Sequence, residues 1–187
     1  FCGPARAQAP SFPCSVLRRL PHDEGAFTQG LLVHQGEFIE STGLYGRSGL
    51  RRVDPETGRT RLSASLAAKY FGEGAAICPP EGRPGSRLAQ LTWKEGAVFF
   101  YETETLRPEG SARLRGEGWG LACAPEVPGA GARLVLSDGS DTLRLLDARS
   151  LAETGRLKVW EEARGGAQPV DRLNELEWHN GRIIANV

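Results

Sequence analysis

The amino-acid sequence predicts an all-β fold of the propeller type. Three observations predict it: a layout that recurs every 45 to 51 residues, strands of four to six residues with period-two alternation, and turn chemistry between them.

The first unit runs Gly30-Leu31-Leu32-Val33, Glu37-Phe38-Ile39-Glu40-Ser41-Thr42 and Gly49-Leu50-Arg51-Arg52-Val53-Asp54, and closes through the turn Pro55-Glu56-Thr57-Gly58. The second has Gly74-Ala75-Ala76-Ile77-Cys78, Leu88-Ala89-Gln90-Leu91-Thr92-Trp93 and Ala97-Val98-Phe99-Phe100-Tyr101-Glu102. The third has Trp119-Gly120-Leu121-Ala122-Cys123, Arg133-Leu134-Val135-Leu136-Ser137-Asp138 and Thr142-Leu143-Arg144-Leu145-Leu146-Asp147. The hydroxyl residue ending the second strand, taken as Ser41, Thr92 and Ser137, recurs after 51 and 45 residues. The acid closing the third strand, at Asp54, Glu102 and Asp147, recurs after 48 and 45. Four short strands per repeat of roughly 40 to 50 residues is the pattern of propeller blades. A stacked solenoid of strands is the competing architecture, and the period excludes helical repeats.

A fourth unit opens at Leu173-Asn174-Glu175-Leu176-Glu177-Trp178, turns at His179-Asn180-Gly181 and enters its second strand at Arg182. The chain stops there, so about three and a half blades are present. An open arc leaves strand edges and apolar faces uncovered, and we expect the protein to continue beyond Val187. The propeller domain spans 11–187. Residues 1–10 read as a leader remnant, from the small-x-small patterns Ala5-Arg6-Ala7 and Ala7-Gln8-Ala9, or as an unstructured terminus. A leader implies export, periplasmic or secreted, and export permits disulfides.

Lys+Arg and Asp+Glu both number 23, so the balanced charge gives no basic surface for nucleic acid. No apolar run reaches the roughly 18 residues of a membrane span. Cys2, Cys14, Cys78 and Cys123 form no CxxC pattern, which argues against zinc. Cys78 and Cys123 stand at nearly the same place in adjacent units, as a disulfide between blades or as two buried thiols.

First strands line a propeller's channel, and polar residues at their start converge on one mouth. Four clusters qualify: Phe27-Thr28-Gln29-Gly30, Phe71-Gly72-Glu73-Gly74, Gly116-Glu117-Gly118-Trp119-Gly120 and Leu173-Asn174-Glu175-Leu176-Glu177, with Trp93 near the same rim. Taken singly, each has a structural reading: tryptophans as packing between blades, Glu73 as an exposed turn acid, Asn174 as a turn residue. Asp138 and Asp141 read as a solvated turn, and His22, His34 and His179 carry no assigned role.

The ordered series FTQGL, ESTGLYGRS, FGEG, QLTWKE, GEGWGL, LSDGS and LNELEW, followed by ANV, resembles the plant- and bacterial-type glutaminyl cyclases over nearly all of Phe27 to Val187. That resemblance implies a five-bladed β-propeller, and Phe27, Gln29, Phe71, Glu73, Trp93, Trp119 and Asn174 as its pocket residues. It implies cyclisation of the N-terminal glutamine of peptides or proteins without a required cofactor, and a structural calcium in the central channel. We expect a monomer. Two segments are longer than the family's turns, Cys78 to Ser86 and Pro125 to Ala132, and both read as surface loops. The family's aromatic after ANV and its later lysine fall beyond the last residue.

Pyroglutamate forms when the substrate's α-amine attacks its own γ-carboxamide and ammonia leaves. The site must fold the side chain back, move a proton and stabilise an oxyanion. Glu73 beside aromatics suits the proton transfers. Asn174 and Gln29 offer amides to the substrate, and Trp93 and Trp119 offer indole N–H groups and flat walls. A non-catalytic propeller binding a peptide at the same mouth is the alternative.

Overall fold

The computed structural model describes residues 5–78, 87–127 and 131–187. Every regular element among them is a β-strand, and no helix there is long and apolar enough to cross a membrane. Strand β1 (Ala5–Gln8) pairs in parallel with the edge of the third sheet. Residues 5–8, which the sequence placed in a leader remnant or an unstructured terminus, thus form a strand. Three antiparallel meanders follow in chain order. The first sheet is β2 (Thr28–His34), β3 (Glu37–Thr42), β4 (Gly49–Val53) and β5 (Thr60–Ser65); the second is β6 (Gly72–Cys78), β7 (Arg87–Thr92), β8 (Ala97–Glu102) and β9 (Pro108–Arg113). The third is β10 (Leu121–Val127), β11 (Gly131–Leu136), β12 (Thr142–Asp147) and β13 (Glu153–Ala163), with β14 (Gly166–Pro169) folded onto β13. A two-stranded hairpin, β15 (Leu176–His179) and β16 (Arg182–Ala185), ends the chain.

The sheets stack face to face, because strands such as β4, β6 and β7 bury apolar residues on both sides. Ile39 and Leu50 of the first sheet pack on Ala75, Leu88 and Tyr101 of the second. The second sheet's other face sets Ala76, Leu91, Val98 and Phe100 against Leu121, Leu134, Leu136 and Leu146 of the third. The third sheet's far face meets Leu173 and Leu176 through Val135, Leu143 and Val159. Fully burying such a side chain contributes roughly 1.5–3 kcal/mol, so the stacking of neighbours holds the array together. A disulfide, Cys78–Cys123, with Cα atoms 5.5 Å apart, ties β6 to β10. Of the two readings open from sequence, the disulfide is the one formed. Cys14 is a free, exposed thiol and Cys2 lies outside the described residues, as do 79–86 and 128–130 of the two long segments.

First strands β2, β6, β10 and β15 lie side by side, and each begins with the same irregularity. In the first sheet Thr28 pairs with Thr42 but Gly30 pairs with Ser41, so Gln29 is extra. In the second Gly72 pairs with Thr92 and Ala75 with Gln90, leaving Glu73 and Gly74 opposite Leu91. The third repeats it, with Trp119 N–H donating to Ser137 O and Ser137 N–H to Gly120 O. The fourth does likewise, with Asn174 N–H donating to Asn186 O and Asn186 N–H to Glu175 O. A β-bulge re-aims the side chains it displaces. Here four bulges at equivalent places re-aim Gln29, Glu73, Trp119 and Asn174. They also correct the repeat register: Thr92 corresponds to Thr42, and the equivalent of Ser41 and Ser137 is Leu91.

Candidate active site

Each bulge hands its backbone to the next unit. Ser41 Oγ donates to Glu73 O, Gly74 N–H donates to Trp119 O at 2.7 Å, and Ser137 Oγ donates to Asn174 O at 2.7 Å. Ser41 and Ser137 are fully buried, so these bonds are shielded from water. The backbone behind Glu73, Trp119 and Asn174 is therefore fixed by neighbours.

Glu73 is 4% exposed. Gln29 Nε2 donates to Glu73 Oε2 at 2.5 Å. Burial pushes the carboxyl up to about 8; the Gln29 bond pulls it down, and the negative charges of Glu117 and Glu95 push it further up. Around it the rings of Phe27, Tyr45 and Trp93 each meet Phe71 edge to face, with centroids 6.1, 5.4 and 5.5 Å away. Gly43 makes room for this cluster: a Cβ there would stand 2.3 Å from the Phe71 ring and 3.1 Å from Gln29 Cγ. Gly139, at φ +80°, lets Trp119 lie across it, for a Cβ there would sit 2.8 Å from the indole.

The sequence assigned the indole N–H groups of Trp93 and Trp119 to the substrate. Here both are already used: Trp93 Nε1 donates to Glu117 Oε2 at 2.9 Å and Trp119 Nε1 to the same oxygen at 3.0 Å. One carboxylate oxygen thus clamps both walls, and the two tryptophans keep only their faces for a ligand. Lys94 Nζ stands 3.7 Å from the Trp93 ring centroid. Gln29 likewise spends one amide donor on Glu73, which makes it a holder of that acid.

Three residues of this environment were given no role of their own from the sequence: Glu117, which stood in a candidate cluster, Glu95 and Tyr45. Tyr45 Oη donates to Glu95 Oε1 at 2.8 Å, and Phe71 N–H donates to Glu95 Oε2 at 3.3 Å. All three lay inside quoted motifs (GEGWGL, QLTWKE, ESTGLYGRS), and a carboxylate within two residues of a tryptophan was the signal available. His22, given no role, meets buried Glu40, Nε2 to Oε1, at 2.9 Å. Among the described residues no three His, Cys, Asp or Glu side chains gather as a metal site. Calcium takes six to eight oxygen ligands, backbone carbonyls and waters among them, and no step below runs through calcium.

The arrangement suits a reaction that needs a polar, water-poor pocket, one acid titrating near neutrality and an excess of negative charge to draw in a cation. Comparisons with known proteins point the same way. The profile of the glutamine cyclotransferase family matches residues 3–187. A glutaminyl-peptide cyclotransferase of Arabidopsis thaliana is 36% identical over 174 residues, covering 92% of this chain and 49% of the relative. The chain thus spans about half the length of that curated relative. The crystal structure of Myxococcus xanthus glutaminyl cyclase superposes with a TM-score of 0.76 at 37% identity, over 99% of this chain and 69% of that one. U3-55K, at 12% identity and a TM-score of 0.55, shares the fold alone.

Proposed function

Because the chain belongs to the glutamine cyclotransferase family, we propose that the protein carrying it converts N-terminal glutaminyl residues of peptides or proteins to pyroglutamate and ammonia. The observation that carries this reading is Glu73, a buried acid titrating at about 8 inside an aromatic pocket. An α-amino group titrates at about 7.7–8.0, so proton transfer between substrate and Glu73 is close to balanced in energy.

In the mechanism, the substrate's ammonium enters a pocket bearing Glu73, Glu95 and Glu117. Ionised Glu73 takes a proton from the α-nitrogen, whose lone pair then attacks the γ-carbonyl carbon. The carbonyl electron pair moves onto oxygen. Asn174 and the free amide hydrogen of Gln29 are the donors for that oxyanion. Protonated Glu73 returns its proton to the leaving nitrogen and the C–N bond breaks; Glu73, ionised again, takes the second proton from the ring nitrogen and passes it to the ammonia, which departs as ammonium and leaves the neutral lactam. Phe71, Trp93 and Trp119 hold the side chain folded back against flat faces, converting a floppy substrate into a near-attack conformer. Phe27, about half exposed, stands at the entrance.

We read the fold as a five-bladed β-propeller, with the three meanders and the hairpin as about three and a half blades. Support comes from the four equivalent bulges and from Leu31, Val33 and Leu62 of the first sheet and Ile184 of the last, which leave apolar faces open for a neighbour. The disulfide supports export.

The test is ammonia and pyroglutamate release by the full-length protein from a Gln-initiated dipeptide. We expect turnover, and none from the N-acetylated dipeptide, which lacks the nucleophile. Binding of the dipeptide without turnover would instead make the protein a binding module.

A further inference from the structure

One residue past each of Gln29, Glu73, Trp119 and Asn174, the first strands carry Gly30, Gly74, Gly120 and Glu175. Three of these are glycine for lack of space. A Cβ on Gly30 would meet Ala75 N at 2.8 Å, one on Gly74 would meet Leu121 N at 2.6 Å, and one on Gly120 would meet Asn174 O at 2.0 Å. In the fourth unit the side chain exists, and it reaches back towards the first. Glu175 Oε1 lies 3.3 Å from where a Gly30 Cβ would be, and Gly74 Cα lies 3.2 Å from that same point. The carboxyl therefore lies in the space the glycines leave, one residue layer beneath the site and on the side of Gly74. Both of its oxygens are buried and neither accepts a hydrogen bond of good geometry, although the amides of Leu31 and Leu176 approach.

An unpartnered carboxyl in such a place is costly for a fold. Glycine serves the other three positions. We propose that Glu175 is a positioning residue for the cyclisation, whose carboxyl in the glycine layer sets the charge state of Glu73 by repulsion from beneath. The proposal rests on the cyclase reading for its purpose but not for its physics.

The groups facing the two acids are few. Glu73 meets Gln29 from β2, Glu95 from the β7–β8 turn and Glu117 from the segment before β10; Tyr45 feels its charge. Glu175 faces Glu177 and Glu73, and among the described residues the charged groups acting on the two carboxyls are all acids. Burial, then Glu177 and Glu73, push Glu175 up to about 8 as well. Coulomb repulsion is reciprocal, so two acids titrating in the same range must interfere with each other's ionisation.

The test is the carboxyl ¹³C NMR titration of Glu73 and Glu175 in the full-length protein, read with the pH profile of kcat/KM. In the wild type we expect two-step curves, each residue registering the other's ionisation. In Glu175→Gln, Glu73 should show a single step with its midpoint at least roughly half a pH unit lower, and the acid limb of kcat/KM should fall with it. Glu175→Asp should restore the higher midpoint, and Glu177→Gln should leave Glu73 nearly in place. Independent one-step curves in the wild type, or an unmoved Glu73 midpoint in Glu175→Gln, would overturn the proposal. If that variant does not fold, the wild-type curves decide. If no variant or wild type turns over substrate, the titration still decides on Glu175, and only the cyclase reading falls.

Discussion

Two glutamates of this protein are almost equally buried and titrate in opposite directions. Glu40 is 1% exposed and Glu73 is 4% exposed. Burial pushes both up, but Glu40 accepts hydrogen bonds from Thr28, His22 and Arg51 and feels the Arg51 charge, and its pKa ends below the usual carboxylate range. Glu73 has one neutral amide, from Gln29, against two neighbouring acids, and ends at about 8. The difference teaches that burial alone assigns no role. The partners decide: a cation at 2.5 Å, as Arg51 is to Glu40, makes a fixed charge, and an amide with like charges around makes a proton carrier.

Changing each acid in turn should break the comparison most visibly. Glu73→Gln keeps the shape and removes the proton carrier, so kcat/KM for a Gln dipeptide should fall by roughly 10³-fold with the melting temperature at neutral pH no lower; a fall of only a few-fold would mean that another group moves the proton. Glu40→Gln should do the reverse. It leaves Arg51, itself mostly buried, without its inner partner, and denaturant unfolding should show a loss of about 3 kcal/mol. Activity per folded molecule should hardly change.

Glu117 sharpens the comparison, because it shapes the site through its bonds to both indoles. Glu117→Ala frees both indoles. Steady-state kinetics should show kcat/KM reduced about 10- to 100-fold, as expected when positioning surfaces loosen, and the tryptophan fluorescence should shift. An unchanged rate would show that the walls hold themselves.

The smallest effect is on stability against pH. Glu73 binds its proton more tightly in the folded than in the unfolded chain, so its contribution is present below about 4.5 and is lost as pH rises through about 8. Glu40 is the mirror case: its contribution is present above the ordinary glutamate pKa and is lost as pH falls through its lowered folded value. Unfolding free energies across this range should therefore decline less towards pH 8 in Glu73→Gln than in the wild type.

Much of this was legible in sequence. The repeat, the strand order within each unit and the convergence of Gln29, Glu73, Trp119 and Asn174 follow from spacing and from polar or aromatic residues set at the starts of first strands. The bulges were not legible, because a single extra residue changes pairing without changing composition. That is why Thr92 was matched to Ser41, one place out of register. Glu117 stood in a quoted motif, but which of its neighbours it bonds depends on Trp93, 24 residues earlier in the chain. Glu40 looked like one more alternating strand residue; its partners His22 and Asp23-bound Arg51 come from other segments. Parallel pairing of β1 with β13 joins residues some 150 apart, beyond any local pattern.

The most direct test of Glu73 as the proton carrier is the pH dependence of kcat/KM for a Gln dipeptide, measured on the full-length protein beside the ¹³C titration of the Glu73 and Glu40 carboxyls. The expected result is an acid limb near pH 8 that coincides with the Glu73 midpoint, while Glu40 titrates below the ordinary carboxylate range. A Glu73 midpoint near 4.5, or an acid limb that follows some other group, would contradict it.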